Sequence, residues 1–228
     1  MARRSRRAER EPVVLPPEQR KVGQLVGESI RAYERNFWKA LAIGVPVAVV
    51  NVLVWSAPSG TARFLAVPAT ALLLTLSYVA ACSVVTGARL RSRSGLIAFG
   101  TGLLVFVPFP LLVAFYILPG LAYLALVGLA VPAALVEGLG VRSALARGIA
   151  LARADFVHVL GGLATLALVV LLTQAGLFFL LREYAESTLR LAAALASLVV
   201  SPLVLLGSAL LYVDQEARLR SRSERATA

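Results

Sequence analysis

The chain has 228 residues, of which 59% are hydrophobic and 15% charged, and its mean hydropathy is +0.81. Such values suit a chain whose main solvent is lipid and exclude an ordinary soluble domain. The net charge of +11 does not indicate nucleic acid, because the basic residues are segregated along the chain as a membrane topology signal would be.

Residues 1–19 carry Arg3, Arg4, Arg6, Arg7 and Arg10 together with Pro12, Pro16 and Pro17. Nothing there offers an apolar face to bury, so a disordered basic tail is expected. It reads either as a topology signal or as a tether to anionic lipid. No apolar core follows MARRSRRAER, so it is not read as a cleavable signal peptide. A surface helix is expected over 20–38. Val22, Val26, Ile30, Tyr33 and Phe37 recur at helical spacing and build one apolar stripe, with Arg31 and Arg35 mostly away from it. Such a helix belongs in the headgroup region, with Phe37, Trp38 and Lys39 marking the way into lipid.

Spans follow at about 40–57 and 64–86. The first holds Pro46 and Asn51, the second Pro68, and the turn Pro58-Ser59-Gly60 joins them. After Gly87 comes the basic segment ARLRSRS, Ala88–Ser94. The next uncharged run, Gly95–Val136, is about twice the roughly 20 residues that one span needs. It therefore reads as two spans, 96–118 and 121–136, turning at Pro119-Gly120. Pro108, Pro110 and Pro132 imply kinked helices whose freed carbonyls find partners on neighbours.

A second surface helix is expected over 139–155, where Val141, Leu145, Ile149, Ala152 and Phe156 repeat the earlier stripe 119 residues on. Arg142, Arg147 and Arg153 lie on this helix, and His158 stands where the first copy has Lys39. The fifth span, 157–181, carries Gln174. The loop Arg182–Arg190 leads to the sixth, 191–213, with Pro202. The basic tail 217–228 opens with ARLRSRS again, identical at all seven positions to Ala88–Ser94.

With six spans in a domain over 20–216, every Lys and Arg except Arg63, Arg182 and Arg190 falls on one side. The positive-inside rule makes that side the cytoplasm, with both termini in it. Five spans would separate Arg142–Arg153 from Arg218–Arg225. The expected fold is thus an all-α integral membrane protein: six transmembrane helices and two cytoplasmic-face amphipathic helices. A parallel internal repeat (surface helix plus two spans) flanks a central hairpin. The 21 Arg against Lys21 and Lys39 suggest a GC-rich bacterial genome, hence the inner membrane. Cys82 stands alone, so no internal disulfide is possible.

The stretch with Pro132, Glu137, Ala144, Leu145, Arg147 and Leu151, and the ending with Pro202, Leu211, Tyr212 and Asp214, resemble the membrane domain of bacterial glycerophosphoryl diester phosphodiesterase-like proteins. The resemblance covers about residues 20–220 and implies a fold more than a reaction. Family members that hydrolyse glycerophosphodiesters carry a separate soluble catalytic domain, for which this chain is expected to have no room.

No nucleotide loop, zinc-ligand spacing or nucleophile elbow is present, and there is one histidine. The expectation is a non-enzyme without a cofactor. Glu137 is expected to pair with Arg142, Arg147 or a basic group elsewhere on the cytoplasmic side. Lipid-headgroup or partner contact is expected from Arg31, Arg35, Lys39, Arg142, Arg147, Arg153 and His158. The expected partners are the bilayer, its anionic headgroups, and either another membrane protein or a second copy of the chain, but no nucleic acid. Asn51 and Gln174 are the polar candidates inside the membrane. If the protein instead carries a neutral or lipid-like substrate, they should line a shared cavity.

Overall fold

The computed structural model describes residues 22–56, 61–90 and 93–227. The basic tail 1–19, Arg20, Lys21, the turn Pro58-Ser59-Gly60 and Ser92 lie outside them. All regular structure among the described residues is helical: α1 (Val22–Arg35), α2 (Phe37–Ser56), α3 (Thr61–Thr86), α4 (Arg93–Phe106), α5 (Phe109–Phe115), α6 (Ile117–Val127), α7 (Ala130–Glu137), α8 (Val141–Ala154), α9 (Phe156–Leu181) and α10 (Glu186–Thr227). Among these residues six stretches are long and apolar enough to cross a membrane: one each in α2, α3, α9 and α10, and the composites α4–α5 and α6–α7. The protein is a multi-pass membrane protein.

Proline placement explains the composite spans. The central hairpin turns at Tyr116, whose backbone is extended (φ −156°, ψ 145°), and not at Pro119-Gly120. Pro119 instead occupies the first turn of α6, where a missing N–H breaks no helical bond. Gly120 lets α6 close on α5, since a Cβ there would sit 2.5 Å from Val113 Cγ2. Pro108 cannot donate to Leu104 O, and the Tyr123 hydroxyl donates to that carbonyl at 3.3 Å. Pro132 likewise leaves Gly128 O, which the Tyr78 hydroxyl reaches at 3.3 Å. These two freed carbonyls thus each have a donor from another helix.

Helix α10 is the axis of the molecule, packing against α1, α2, α3, α8 and α9. Two apolar clusters share it. One joins α2, α3, α4 and α7 to it around Tyr78, Phe106 and Leu206. The other joins α1, α6, α8 and α9 to it around Leu25, Leu163 and Leu211. At the crossing of α2 on α10 the backbones approach closely: a Cβ on Gly44 would fall 2.1 Å from Leu198 O, the carbonyl freed by Pro202. With 42 residues, α10 is about 63 Å long, twice the roughly 30 Å of a hydrocarbon core. The basic segment Ala217–Ser223 is therefore a helical continuation of the last span.

The buried rows of α1 and α8 differ from the expected stripes. Leu25 and Ser29 are the buried residues of α1, whereas Ile30 and Phe37 are exposed. In α8 the buried residues are Ala144, Gly148, Leu151 and Ala152, with Val141, Leu145 and Ile149 half-buried beside them. Close backbone approach selects the smaller residues. A Cβ on Gly207 would meet Ser29 Oγ at 2.7 Å, and one on Gly148 would meet Ala130 N at 2.4 Å. Ser29 is tolerated at 0% exposure because its hydroxyl donates to Leu25 O at 2.8 Å.

Candidate functional site

Helices α1 and α8 both lie against the 207–219 stretch of α10, so they share one end of the bundle. Two polar networks fasten α8 there. At the first, α7 ends on Gly138 in the left-handed conformation (φ 66°), which turns the chain and leaves Glu137 at the helix tip. Arg147 Nε donates to both Glu137 carboxylate oxygens at 3.0 and 3.2 Å. The Tyr212 hydroxyl, from α10, donates to the same carboxylate at 2.9 Å. Of the partners expected for Glu137, the structure selects Arg147. Tyr212 adds a buried donor whose role the chain distance of 75 residues concealed.

The second network closes the other end of α8. Asp155 breaks the helix between α8 and α9 and caps α9 by accepting from the His158 N–H at 3.3 Å. Its other oxygen accepts from Arg218 Nη1 at 2.7 Å. Arg218 Nη2 lies 3.4 and 3.3 Å from the two His158 ring nitrogens. One turn on, Arg222 Nη1 donates to Ala154 O at 3.0 Å, satisfying a carbonyl at the end of α8. His158 is thus held in a network with Asp155 and Arg218.

The arginines divide into two kinds. Arg31 is spent on Glu28 at 2.5 Å within α1, and Arg147 on Glu137. Arg35, Lys39, Arg142 and Arg153 are exposed and form no side-chain ion pair with another described residue. These four cations are available to an external anion.

Deeper in the bundle, Asn51 and Gln174 converge although 123 positions separate them. Asn51 Nδ2 donates to Ser197 Oγ at 2.7 Å and Gln174 Nε2 to the same oxygen at 3.2 Å. The three side chains lock α2 and α9 onto α10. Neither amide lines either of two cavities between the helices. One of these is an apolar cavity of about 290 Å³ in the centre of the bundle, walled by Tyr78, Phe106, Leu163 and Leu205 among others. The other is an open groove of about 1000 Å³ between α2, α3 and α4, with Lys39 at its rim.

Among the described residues, no group of three or more His, Cys, Asp or Glu side chains could hold a metal. No family model, curated protein or solved structure matches the chain.

Proposed function

We propose that the protein is a non-enzymatic, multi-pass protein of the bacterial inner membrane with both termini in the cytoplasm. Its helices α1 and α8 form a collar at the cytoplasmic face that engages anionic headgroups. The observation that carries this reading is the set of exposed cations Arg35, Lys39, Arg142 and Arg153, which form no ion pair with another described residue and are presented by α1, α8 and the start of α2. Exposed Ile30, Phe37 and Trp38 beside them supply the apolar and aromatic contacts of an interfacial helix.

The internal duplication belongs to the same reading. Buried Leu25 and Ser29 of α1 correspond, 119 residues on, to buried Ala144 and Gly148 of α8. The helix breaks match as well: α1 stops at Arg35 and α2 starts at Phe37, while α8 stops at Ala154 and α9 starts at Phe156. The neighbours differ, since α1 packs on α10 and α9 whereas α8 packs chiefly on α7, α6 and α10. The likeness to the glycerophosphodiesterase membrane domain draws support from one fact: Glu137, Arg147 and Tyr212, three residues that carry it, meet in one network.

Neutralising the unpaired arginines together, Arg35→Gln, Arg142→Gln and Arg153→Gln, tests the collar. Each basic residue near an anionic surface contributes about 1 kcal/mol. The patch of lipid extracted with the protein in polymer nanodiscs should therefore lose its enrichment in phosphatidylglycerol over phosphatidylethanolamine. An unchanged lipid ratio would overturn the reading. A carrier of neutral substrate is less well supported, because Asn51 and Gln174 donate to Ser197 and line neither the apolar cavity nor the open groove.

A further inference from the structure

A long open groove runs between α2, α3 and α4. It begins at Lys39 and Gly87, beside the exposed Leu90 and Leu96, and runs inward to Pro46 and Leu76. From Gly87 to Leu76 it follows eleven residues of α3, about 16 Å of helix. That equals one leaflet, since the full hydrocarbon core is about 30 Å. Its volume of about 1000 Å³ lies at the upper end of the roughly 300–1,000 Å³ typical of ligand pockets.

Three local features keep it open. Pro46 lies inside α2 and removes one bond from its ladder, and beside it the Ser77 hydroxyl donates to Ile43 O at 2.8 Å, holding α2 to α3 along one edge. Gly87 (φ 71°) ends α3 and turns the chain outward. Ser83 donates to Ala88 O at 2.7 Å, fixing that turn. Gly95 lets the start of α4 close on the turn, since a Cβ there would lie 2.0 Å from Leu90 O. The wall is mostly apolar, none of its described lining residues is acidic, and Lys39, at the headgroup end, forms no ion pair with another described residue.

We propose that this groove is a binding site for one anionic glycerophospholipid of the cytoplasmic leaflet. Its phosphate meets the Lys39 ammonium and an acyl chain lies along Ala80, Leu76 and Pro46. The ammonium offers three donors to phosphate oxygens, and Trp38 beside it, 78% exposed, sits where interfacial aromatics sit. A helix from a second copy fits less well. Helix pairs in a membrane pack along a whole span, whereas this groove stops at mid-membrane, where Pro46 and Leu76 close it. The proposal rests on the cytoplasmic placement and anionic-headgroup engagement proposed above, and adds a single saturable site to them.

Native mass spectrometry of the full chain in detergent, titrated with phosphatidylglycerol and with phosphatidylcholine of the same chains, tests it. Phosphatidylglycerol should add as one saturable adduct, about five-fold tighter than phosphatidylcholine. Lys39→Gln should erase that preference, and Lys39→Arg should retain it. Ala80→Phe should weaken both lipids by filling the groove. Leu96→Glu, at an exposed position, should weaken phosphatidylglycerol selectively and serves if the Phe variant fails to fold. Unsaturable binding, a Lys39→Gln variant with its preference intact, or a dimer that Ala80→Phe dissociates would each overturn the proposal. The collar variant leaves Lys39 untouched. Loss of its annular enrichment with the single adduct kept would support the site, and the reverse result would reject the site while sparing the collar.

Discussion

A carboxylate at a helix tip becomes a structural hub here because two donors from distant parts of the chain reach it. Glu137 lies at the end of α7, Arg147 in the middle of α8, and Tyr212 on α10 at 1% exposure. Removing one hydrogen bond to a charged group costs about 1.5–3 kcal/mol, so Tyr212→Phe should lower the apparent melting temperature in detergent. Glu137→Ala should cost more, because it leaves the buried Tyr212 hydroxyl without its acceptor. The exposed pair Arg190–Glu186, at 2.6 Å, is the comparison. Its removal by Arg190→Ala should cost about 0–1 kcal/mol, as exposed ion pairs do. Equal losses at the two sites, measured by thermal denaturation, would remove the hub role. The sequence made Glu137–Arg147 foreseeable, because the two are close in the chain. It made Asn51 and Gln174 visible as amides within apolar runs. It could not show that both meet Ser197, nor that Arg218 lies against His158, because those meetings depend on the order in which α2, α9 and α10 pack. Charge identity alone likewise could not separate the spent Arg31 and Arg147 from the available Arg35 and Arg142.

At the scale of elements, hydropathy located the spans and proline chemistry decided their breaks. The hairpin turn falls at Tyr116 because a proline early in a helix is harmless, so Pro119 sits in the first turn of α6 and not in the turn expected at Pro119-Gly120. The apolar stripes of α1 and α8 were legible as periodicity. Which row faced the protein was not, because the interface took small residues while the larger ones stayed on the flank. This assigns opposite roles to two glycines. A Cβ on Gly148 would press against Ala130 N and Cα at 2.4 and 2.7 Å, backbone atoms that cannot step aside. A Cβ on Gly176 of α9 would meet nothing within 4 Å. Gly148→Ala should therefore destabilise the protein by about 1–3 kcal/mol through overpacking, while Gly176→Ala should leave stability unchanged or raise it by up to about 1 kcal/mol. Thermal denaturation of the two variants in one detergent gives the signs directly. Destabilisation by both would mean that glycine loss alone, not the α8–α7 crossing, sets the cost.

Across the whole molecule, α10 ties the topology together. Its first residues follow the loop with Arg182 and include Arg190, and its far end carries Arg218, Arg220, Arg222 and Arg225 beyond the apolar stretch as continuous helix. Through Tyr212 and Arg218 it fastens α8 to the same end. Through Leu211 and Gly207 it fastens α1 there too. The side on which α1, α8 and the tail lie is thus a single structural fact, so one orientation test decides all three. Single cysteines serve well, because the native Cys82 is fully buried and should stay silent toward a polar thiol reagent. Ser143 on α8 and Ser223 on the α10 tail should label only after the membrane is permeabilised. Ser187, in the first turn of α10, should label in intact cells. The positive-inside rule demands this orientation, and the packing demands that Ser143 and Ser223 behave alike. Labelling of both from outside would invert the protein and move the Lys39 groove to the other leaflet. Labelling of one but not the other would contradict the attachment of α8 to α10.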